Sequence, residues 1–180
     1  MSRAGRKRKQ VSRQPNGQPS RAGARENVLS VVRSQPHRRR FGGLSHDHRA
    51  ECELGRLNLD GVIELELYDA GVRYRRIVRD MRIAIGAPPG TPSALSFDRT
   101  KGRSSDSEED EEAEKRATRA RSVYADAFAA LGDAGREAVL AVNAVVIWDK
   151  SRLEAPGGVD AIKRGLTVLA KHFGLLGRAA

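Results

Sequence analysis

The stretch LYDAGVRYRRIVRDMRIAIG, from Leu67 to Gly86, decides the fold of this 180-residue chain. Its apolar residues recur at intervals of three and four, which places them on one stripe of a helix with 3.6 residues per turn. We predict a long helix over residues 62–85 with that stripe in the core. Gly86 and two following prolines end it, because consecutive prolines cannot continue helical geometry. The stripe comprises Leu67, Ala70, Tyr74, Ile77, Val78, Met81 and Ile85.

Shorter helical patterns precede this helix. A brief apolar segment from Arg25 predicts one helix, which Pro36 stops. The stretch PHRRRFGG that starts at Pro36 indicates a loop. A third segment has Ser45 as its predicted N-terminal cap and ends at Gly61.

Three helical patterns follow the long helix. An acidic and then basic segment from residue 107 predicts a helix whose charge order complements the backbone dipole, and whose rear half buries Val123, Ala127 and Leu131. The apolar run 138–148 predicts a central helix with Asp133 as its cap. The last pattern predicts a closing helix with its core side formed by Val159, Ile162, Leu166, Leu169 and Phe173.

The fold class follows from these patterns. No segment alternates apolar and polar residues for long, so we predict an all-α protein, a small helical bundle with a disordered basic N-terminal arm. The arm is poor in apolar residues, and such a composition does not offset the entropy of ordering a backbone. We predict four regions: the arm at 1–24, N-terminal helices at 25–86, a linker at 87–106, and a helical hairpin with the closing helix at 107–176.

Charge is distributed unevenly along the chain. Residues 1–50 contain 13 Arg and Lys against only Glu26 and Asp47, whereas the whole chain carries a formal charge of +10. The first 50 residues thus supply the entire positive excess, and the rest is close to neutral. This asymmetry is typical of proteins that meet nucleic acid or an acidic protein face. A solvated tail that only confers solubility is the alternative explanation of the arm.

Several classes of function have no support in the sequence. We find no glycine-rich phosphate loop, nucleophile elbow, HExxH or CxxC motif, and we therefore expect neither an enzyme nor a cofactor. His46, His48 and Cys52 match no common zinc arrangement, so we expect no metal site. A single cysteine and the lack of a 20-residue apolar segment lead us to expect a cytoplasmic protein without membrane contact.

The cationic residues are the feature of the sequence that indicates a binding function. On the long helix, one stripe of arginines lies beside the core stripe and would suit phosphates or an acidic protein groove. The same pattern also fits an ordinary solvent-exposed helix face. The candidate partner-binding residues are Arg75, Arg79, Arg82, Lys163, Arg164 and Lys171. The candidate nucleic-acid-binding residues are Arg6, Lys7, Arg8, Lys9, Arg13, Arg21, Arg38, Arg39 and Arg40.

About two thirds of the chain resembles a known domain. The group Tyr68, Ala70, Gly71 and Tyr74, the turn over residues 86–92, the step AALG and the ending GLTVLAKHFGL carry the resemblance. The chain is similar to a domain of alphaproteobacterial phages and prophages. The same layout resembles the C-terminal domain of gene transfer agent activators of the Gaf type. The resemblance implies a transcription regulator that works with RNA polymerase and with DNA or nascent RNA, by antitermination.

Two other functions stay open. A virion-assembly or packaging protein like a small terminase would bind DNA without polymerase. The third possibility is a bare interaction module whose tail only confers solubility. A helix-turn-helix is disfavoured, because DKSRLEAPGG, from Asp149 to Gly158, leaves space for at most one helical turn before the last helix.

Overall fold

The computed structural model describes residues 13–15, 18–19, 30–87 and 107–176, the last range with side chains from Glu111 onward. Within these ranges every named element is helical, and paired extended backbone is limited to one isolated bridge between Arg13 and Pro19. The predicted all-α class is confirmed. The predicted arm, 1–24, and the predicted linker, 87–106, fall almost wholly outside the described residues.

The chain divides into two compact units, Met1–Ala50 and Glu51–Ala180. The division falls inside the region 25–86 that the sequence patterns group together.

In the first unit, residues 30–34 are helical, in agreement with the predicted brief helix. Pro36 then begins helix α1, Pro36–Arg39, at the position where its missing N–H costs nothing. A 3₁₀ turn follows at Gly42–Leu44, and another spans the unit boundary at His48–Glu51. The prediction of a loop from Pro36 is therefore wrong, because this stretch forms two short helical turns.

The second unit contains the longer helices. Helix α2 is Glu53–Leu59 and helix α3 is Leu65–Ala84. Helix α4 is Ser107–Gly132, and helix α5, Arg136–Val142, continues into a π-helical turn at Asn143–Ile147. Helix α6 is Gly158–His172, and it packs against α3, α4 and α5. The helix predicted to close the bundle thus packs against three other helices.

The predicted core stripe of α3 is largely confirmed. Leu67, Ala70, Tyr74, Ile77 and Val78 are buried, and Met81 is partly exposed. Ile85 is different: it follows the last residue of the helix, and half of it is exposed. The helix also begins at Leu65, three residues later than predicted.

Two other helices of the second unit show which local predictions fail. On α4, Ala127 and Leu131 are buried as predicted, but 41% of Val123 is exposed. Asp133 does not cap α5, whose N-terminal cap is Gly135 at φ 91° without a side-chain hydrogen bond. Ser45, the other predicted cap, lies in the first unit and caps no α-helix. The N-terminal cap of α2 is Cys52.

Two glycines allow helices of the second unit to approach each other closely. A methyl group at Gly165 would lie 2.6 Å from Cγ2 of Val142 and 3.3 Å from the carbonyl oxygen of Ala138. A methyl group at Gly71 of α3 would lie 2.7 Å from Leu54. At Gly165 a side chain would press on the stiff side chain of Val142 and on a backbone carbonyl, whereas at Gly71 it would meet only the flexible end of Leu54. Gly165 is therefore the stricter requirement for glycine.

A buried ion-pair cluster fastens α2 to the segment between α5 and α6. Glu53 is buried and accepts hydrogen bonds from Nε of Arg152 at 2.8 Å and Nε of Arg56 at 2.9 Å. Arg152 also reaches Asp60 at 2.6 Å, and Asp149 accepts the backbone N–H of Glu53 at 2.7 Å. Burial by itself raises the pKa of Glu53, but the hydrogen bonds from both arginines outweigh it and lower that pKa.

We expect Gly165→Ala to destabilise the protein. Overpacking costs about 1 to 3 kcal/mol, which exceeds the gain in helix propensity of up to about 1 kcal/mol. Urea unfolding followed by circular dichroism measures the difference. Gly132→Ala is the control, because a methyl group at the end of α4 meets nothing within 4 Å. Equal stability of the two variants would contradict the close packing.

The Glu53 cluster predicts a pH dependence of stability. Because the pKa of Glu53 is lower in the folded state, its contribution is present above its unfolded pKa and is lost as the pH falls through the folded value. We expect Glu53→Gln to lower the free energy of unfolding by about 3 kcal/mol at neutral pH. The deficit relative to the parent should shrink below about pH 4. A deficit independent of pH would argue against a charged Glu53.

Candidate nucleic-acid interface

One side of α3 carries three of the predicted partner-binding residues. Arg75, Arg79 and Arg82 follow each other at four and three residues, so they occupy one side of the helix. Two of them contact the end of the π-helical turn and the residue after it, Trp148. We call Arg75, Arg79, Arg82 and Trp148 the arginine face.

Arg75 is fixed in place by the π-helical turn. Its Nε donates a 2.6 Å hydrogen bond to the carbonyl oxygen of Val146. The last carbonyls of a helix have no partner within the helix and accept from side chains instead. Its Nη2 is buried and has no hydrogen-bond partner among the described residues. The N–H groups of this nitrogen thus remain unused beside the turn.

Arg82 lies over the ring of Trp148, with its Cζ 4.9 Å from the ring centroid. This distance is typical of a cation–π contact. Trp148 is the only tryptophan of the chain, and 49% of it is exposed. An indole held by an arginine and half open to solvent offers apolar ring surface next to positive charge.

Arg79 is the most accessible arginine of the three, with 60% of its side chain exposed. It contacts Asp80 at 3.4 Å, and Arg76 lies 3.9 Å from the other oxygen of that carboxylate. Exposed pairs of this length contribute little and exchange easily for another anion. Arg79 is therefore available to a phosphate group.

The three predicted partner-binding residues on α6 do not contact the arginine face. Lys163, Arg164 and Lys171 are exposed, and Arg164 pairs with Glu137 of α5 at 2.9 Å. Lys171 lies in the last turn, where a cation complements the helix dipole. Within residues 30–87 and 107–176, no hydrogen bond, ion pair or ring contact connects these three residues to the arginine face.

The predicted nucleic-acid-binding residues lie in the first unit, and one of them is corrected. Arg38 is buried, and its Nη1 donates to the carbonyl oxygens of Ser45 at 3.2 Å and Asp47 at 3.4 Å. It closes the turn at residues 45–47 and is not offered to a phosphate. Arg13, Arg39 and Arg40 are exposed, and Arg40 lies over the ring of Phe41. The residues outside the described ranges are Arg6, Lys7, Arg8, Lys9 and Arg21.

Asp47 and His48 of this unit take part in a local charge contact. The guanidinium of Arg49 binds the Asp47 carboxylate, with its Nη2 2.8 Å from Oδ2. The hydrogen bond from the Arg49 side chain, opposed by burial, lowers the pKa of Asp47 to about 2. His48 is exposed and 3.5 Å from the same carboxylate. Among the described side chains, no three from His, Cys, Asp and Glu are placed to hold a metal ion.

Where the structure describes the chain, no helix has both the length and the apolar character needed to cross a membrane. No family model, curated protein or solved structure matches the sequence or the fold. Only its geometry therefore supports the arginine face as a candidate site.

Sequence patterns did not indicate Trp148 as part of a site. Aromatic residues make up 4% of the chain, which indicates no stacking platform, and the apolar run 138–148 places this residue at the end of a central helix. One signal was present: the single tryptophan stands directly before the polar residues Asp149 and Lys150, at a helix end, where a large ring is less easily buried. Its contact with Arg82, 66 positions earlier, is a tertiary feature.

We expect Arg75 and Arg79 to differ in their effect on stability. Arg75→Met removes a charged donor from the carbonyl of Val146 and should cost about 1 to 3 kcal/mol. Arg79→Met should change stability by less than about 0.5 kcal/mol, because its contacts are exposed. Urea unfolding measured by Trp148 fluorescence compares the two. A larger loss in the Arg79 variant would refute the anchoring role of Arg75.

Proposed function

We propose that this protein binds single-stranded nucleic acid and regulates transcription together with RNA polymerase, by antitermination. The observation that carries the nucleic-acid part is the arginine face, in which arginines of the packed helix α3 lie beside the exposed indole of Trp148. The polymerase part rests on the resemblance to gene transfer agent activators.

The arginine face suits a phosphate backbone. Arginine presents a planar fork of N–H donors that matches phosphate oxygens, and Arg79 and Arg82 are spaced by three residues on one side of α3. Arg75 is less exposed, and it holds the turn that positions Trp148. Because Arg75 is occupied by the turn, Arg79 and Arg82 are the proposed phosphate contacts.

Trp148 favours a single strand over a duplex. Bases that are not paired can stack on an aromatic ring, and each such stack contributes about 1 to 3 kcal/mol. Bases inside a duplex are not accessible to a ring. The cationic first 50 residues add an attraction to phosphate that needs no sequence recognition. Nascent RNA is the single strand that an antiterminator meets at the polymerase.

We expect the protein to bind a fluorescent single-stranded RNA of about 20 nucleotides, with Trp148 quenched on binding. Trp148→Leu should weaken binding roughly 5-fold to 150-fold, the range of one lost stack. The double variant Arg79→Met and Arg82→Met should reduce the slope of log K against log salt by about 0.7 for each lost phosphate contact. Fluorescence anisotropy at several salt concentrations measures both effects.

Arg136→Met is the matched control, since it removes one exposed charge from α5, outside the arginine face. It should change the affinity little. Replacing Arg6, Lys7, Arg8 and Lys9 with Ala measures the share of the N-terminal segment in the same titration. Unchanged affinity and salt slope in the Trp148 and Arg79/Arg82 variants would refute the arginine face as the binding surface.

Two cellular measurements test the transcription part. Purification of the tagged protein from its host should recover polymerase subunits, whereas recovery of capsid or terminase subunits would favour packaging. In a reporter with a terminator between promoter and gene, expression of the protein should raise the signal. No increase would refute antitermination and leave RNA binding as a separate question.

A further inference from the structure

A second cation–aromatic pair lies in the first unit, outside the arginine face. The Cζ of Arg40 is 4.6 Å from the centroid of the Phe41 ring, a distance typical of a cation–π contact. Arg39 and Arg40 are exposed, and Phe41 is partly exposed. Positive charge and aromatic ring surface therefore occur together here, as they do at Arg82 and Trp148.

Two glycines leave space beside the Phe41 ring. Gly42 and Gly43 follow it directly, and a methyl group at either position would meet nothing within 4 Å. Gly42 has φ 52°, a backbone conformation that favours glycine. Bare backbone next to a ring allows a planar ligand such as a base to approach closely.

The loop that carries Phe41 is held from inside by Arg38, which is buried. Its Nη1 donates to the carbonyl oxygens of Ser45 at 3.2 Å and Asp47 at 3.4 Å. The N–H of Phe41 donates to the carbonyl oxygen of Arg38 at 3.0 Å, and the N–H of Leu44 donates to the carbonyl oxygen of Phe41 at 2.9 Å. Because these bonds fix the backbone on both sides of the ring, ordering it on binding costs little entropy.

Little negative charge opposes an anion at this loop. Asp47 is the only acidic residue between positions 30 and 50. Its carboxylate is bound by Arg49, with Nη2 2.8 Å from Oδ2 and Nε 3.2 Å from both oxygens. Among the residues that the structure describes, the Arg39 guanidinium has no hydrogen-bond or ion-pair partner, so its donors are available to a phosphate.

We propose that Phe41 is a second stacking ring for single-stranded RNA, with Arg39 and Arg40 as its phosphate contacts. This inference rests on the proposed function, because it takes the same ligand as the arginine face. A ring can stack on any unpaired base, so the site needs no particular sequence. A strand that reaches both rings is held at two points, and its affinity then exceeds that of either site alone.

Phe41→Leu tests the ring, because leucine keeps an apolar side chain and removes the aromatic face. The affinity for the same single-stranded RNA should fall roughly 5-fold to 150-fold in fluorescence anisotropy, the range of one lost stack. Phe41→Tyr keeps a ring and should bind as the parent does, which separates loss of the ring from loss of the loop. Phe128→Leu is the matched control: it makes the same exchange on α4, at a side chain that is 42% exposed, and it should change the affinity little.

The double variant Trp148→Leu and Phe41→Trp reports on the loop directly. The chain has one tryptophan, so this variant carries its only indole at position 41. The fluorescence of that indole should be quenched as RNA is added, whereas the fluorescence of the parent reports on Trp148.

Unchanged affinity in Phe41→Leu would overturn the proposal, and so would an indole at position 41 that is not quenched when the anisotropy has reached saturation. An equal loss of affinity for an RNA duplex would also overturn it, because paired bases cannot stack on the ring. Quenching at position 41 without quenching of Trp148 in the parent would support this site and refute the arginine face, so the two failures are distinguishable.

Discussion

Helix α6 is buried against α3, α4 and α5, and the rest of the second unit depends on that burial. Ile162, Leu166 and Leu169 are fully buried along it, and Gly165 lets it approach α5 to a distance at which a methyl group would clash. Gly71 likewise lets α3 approach Leu54 of α2 closely. Because interiors are close-packed, these contacts define the positions of the surrounding helices narrowly.

The C-terminal half of α3 has two sides that meet different neighbours in the second unit. One side meets the π-helical turn and carries the arginine face, and the other side faces α4. The core stripe with Tyr74, Ile77 and Val78 lies on the same helix, so the burial of α3 fixes the positions of both sides.

Sequence periodicity predicted the features that depend on a single helix, such as which of its sides is buried. The buried stripe of α3 and the core side of α6 follow from spacing alone, because a helix must cover its apolar side. Contacts between distant residues were not predictable: Arg152 meets Glu53 across 99 positions, and Arg75 meets Val146 across 71. The exposure of Ile85 and Val123 depends on how neighbouring helices cover them, which no pattern within α3 or α4 contains.

The central claim is that an unpaired base stacks on Trp148 while Arg79 and Arg82 hold the adjoining phosphates. Photo-cross-linking with a 4-thiouridine single-stranded RNA, followed by mass spectrometry of the cross-linked peptides, tests it most directly. We predict a cross-link in the peptide that contains Trp148, reduced by an excess of the same unlabelled RNA. Cross-links confined to the first 50 residues, with none at the end of the π-helical turn, would contradict the account.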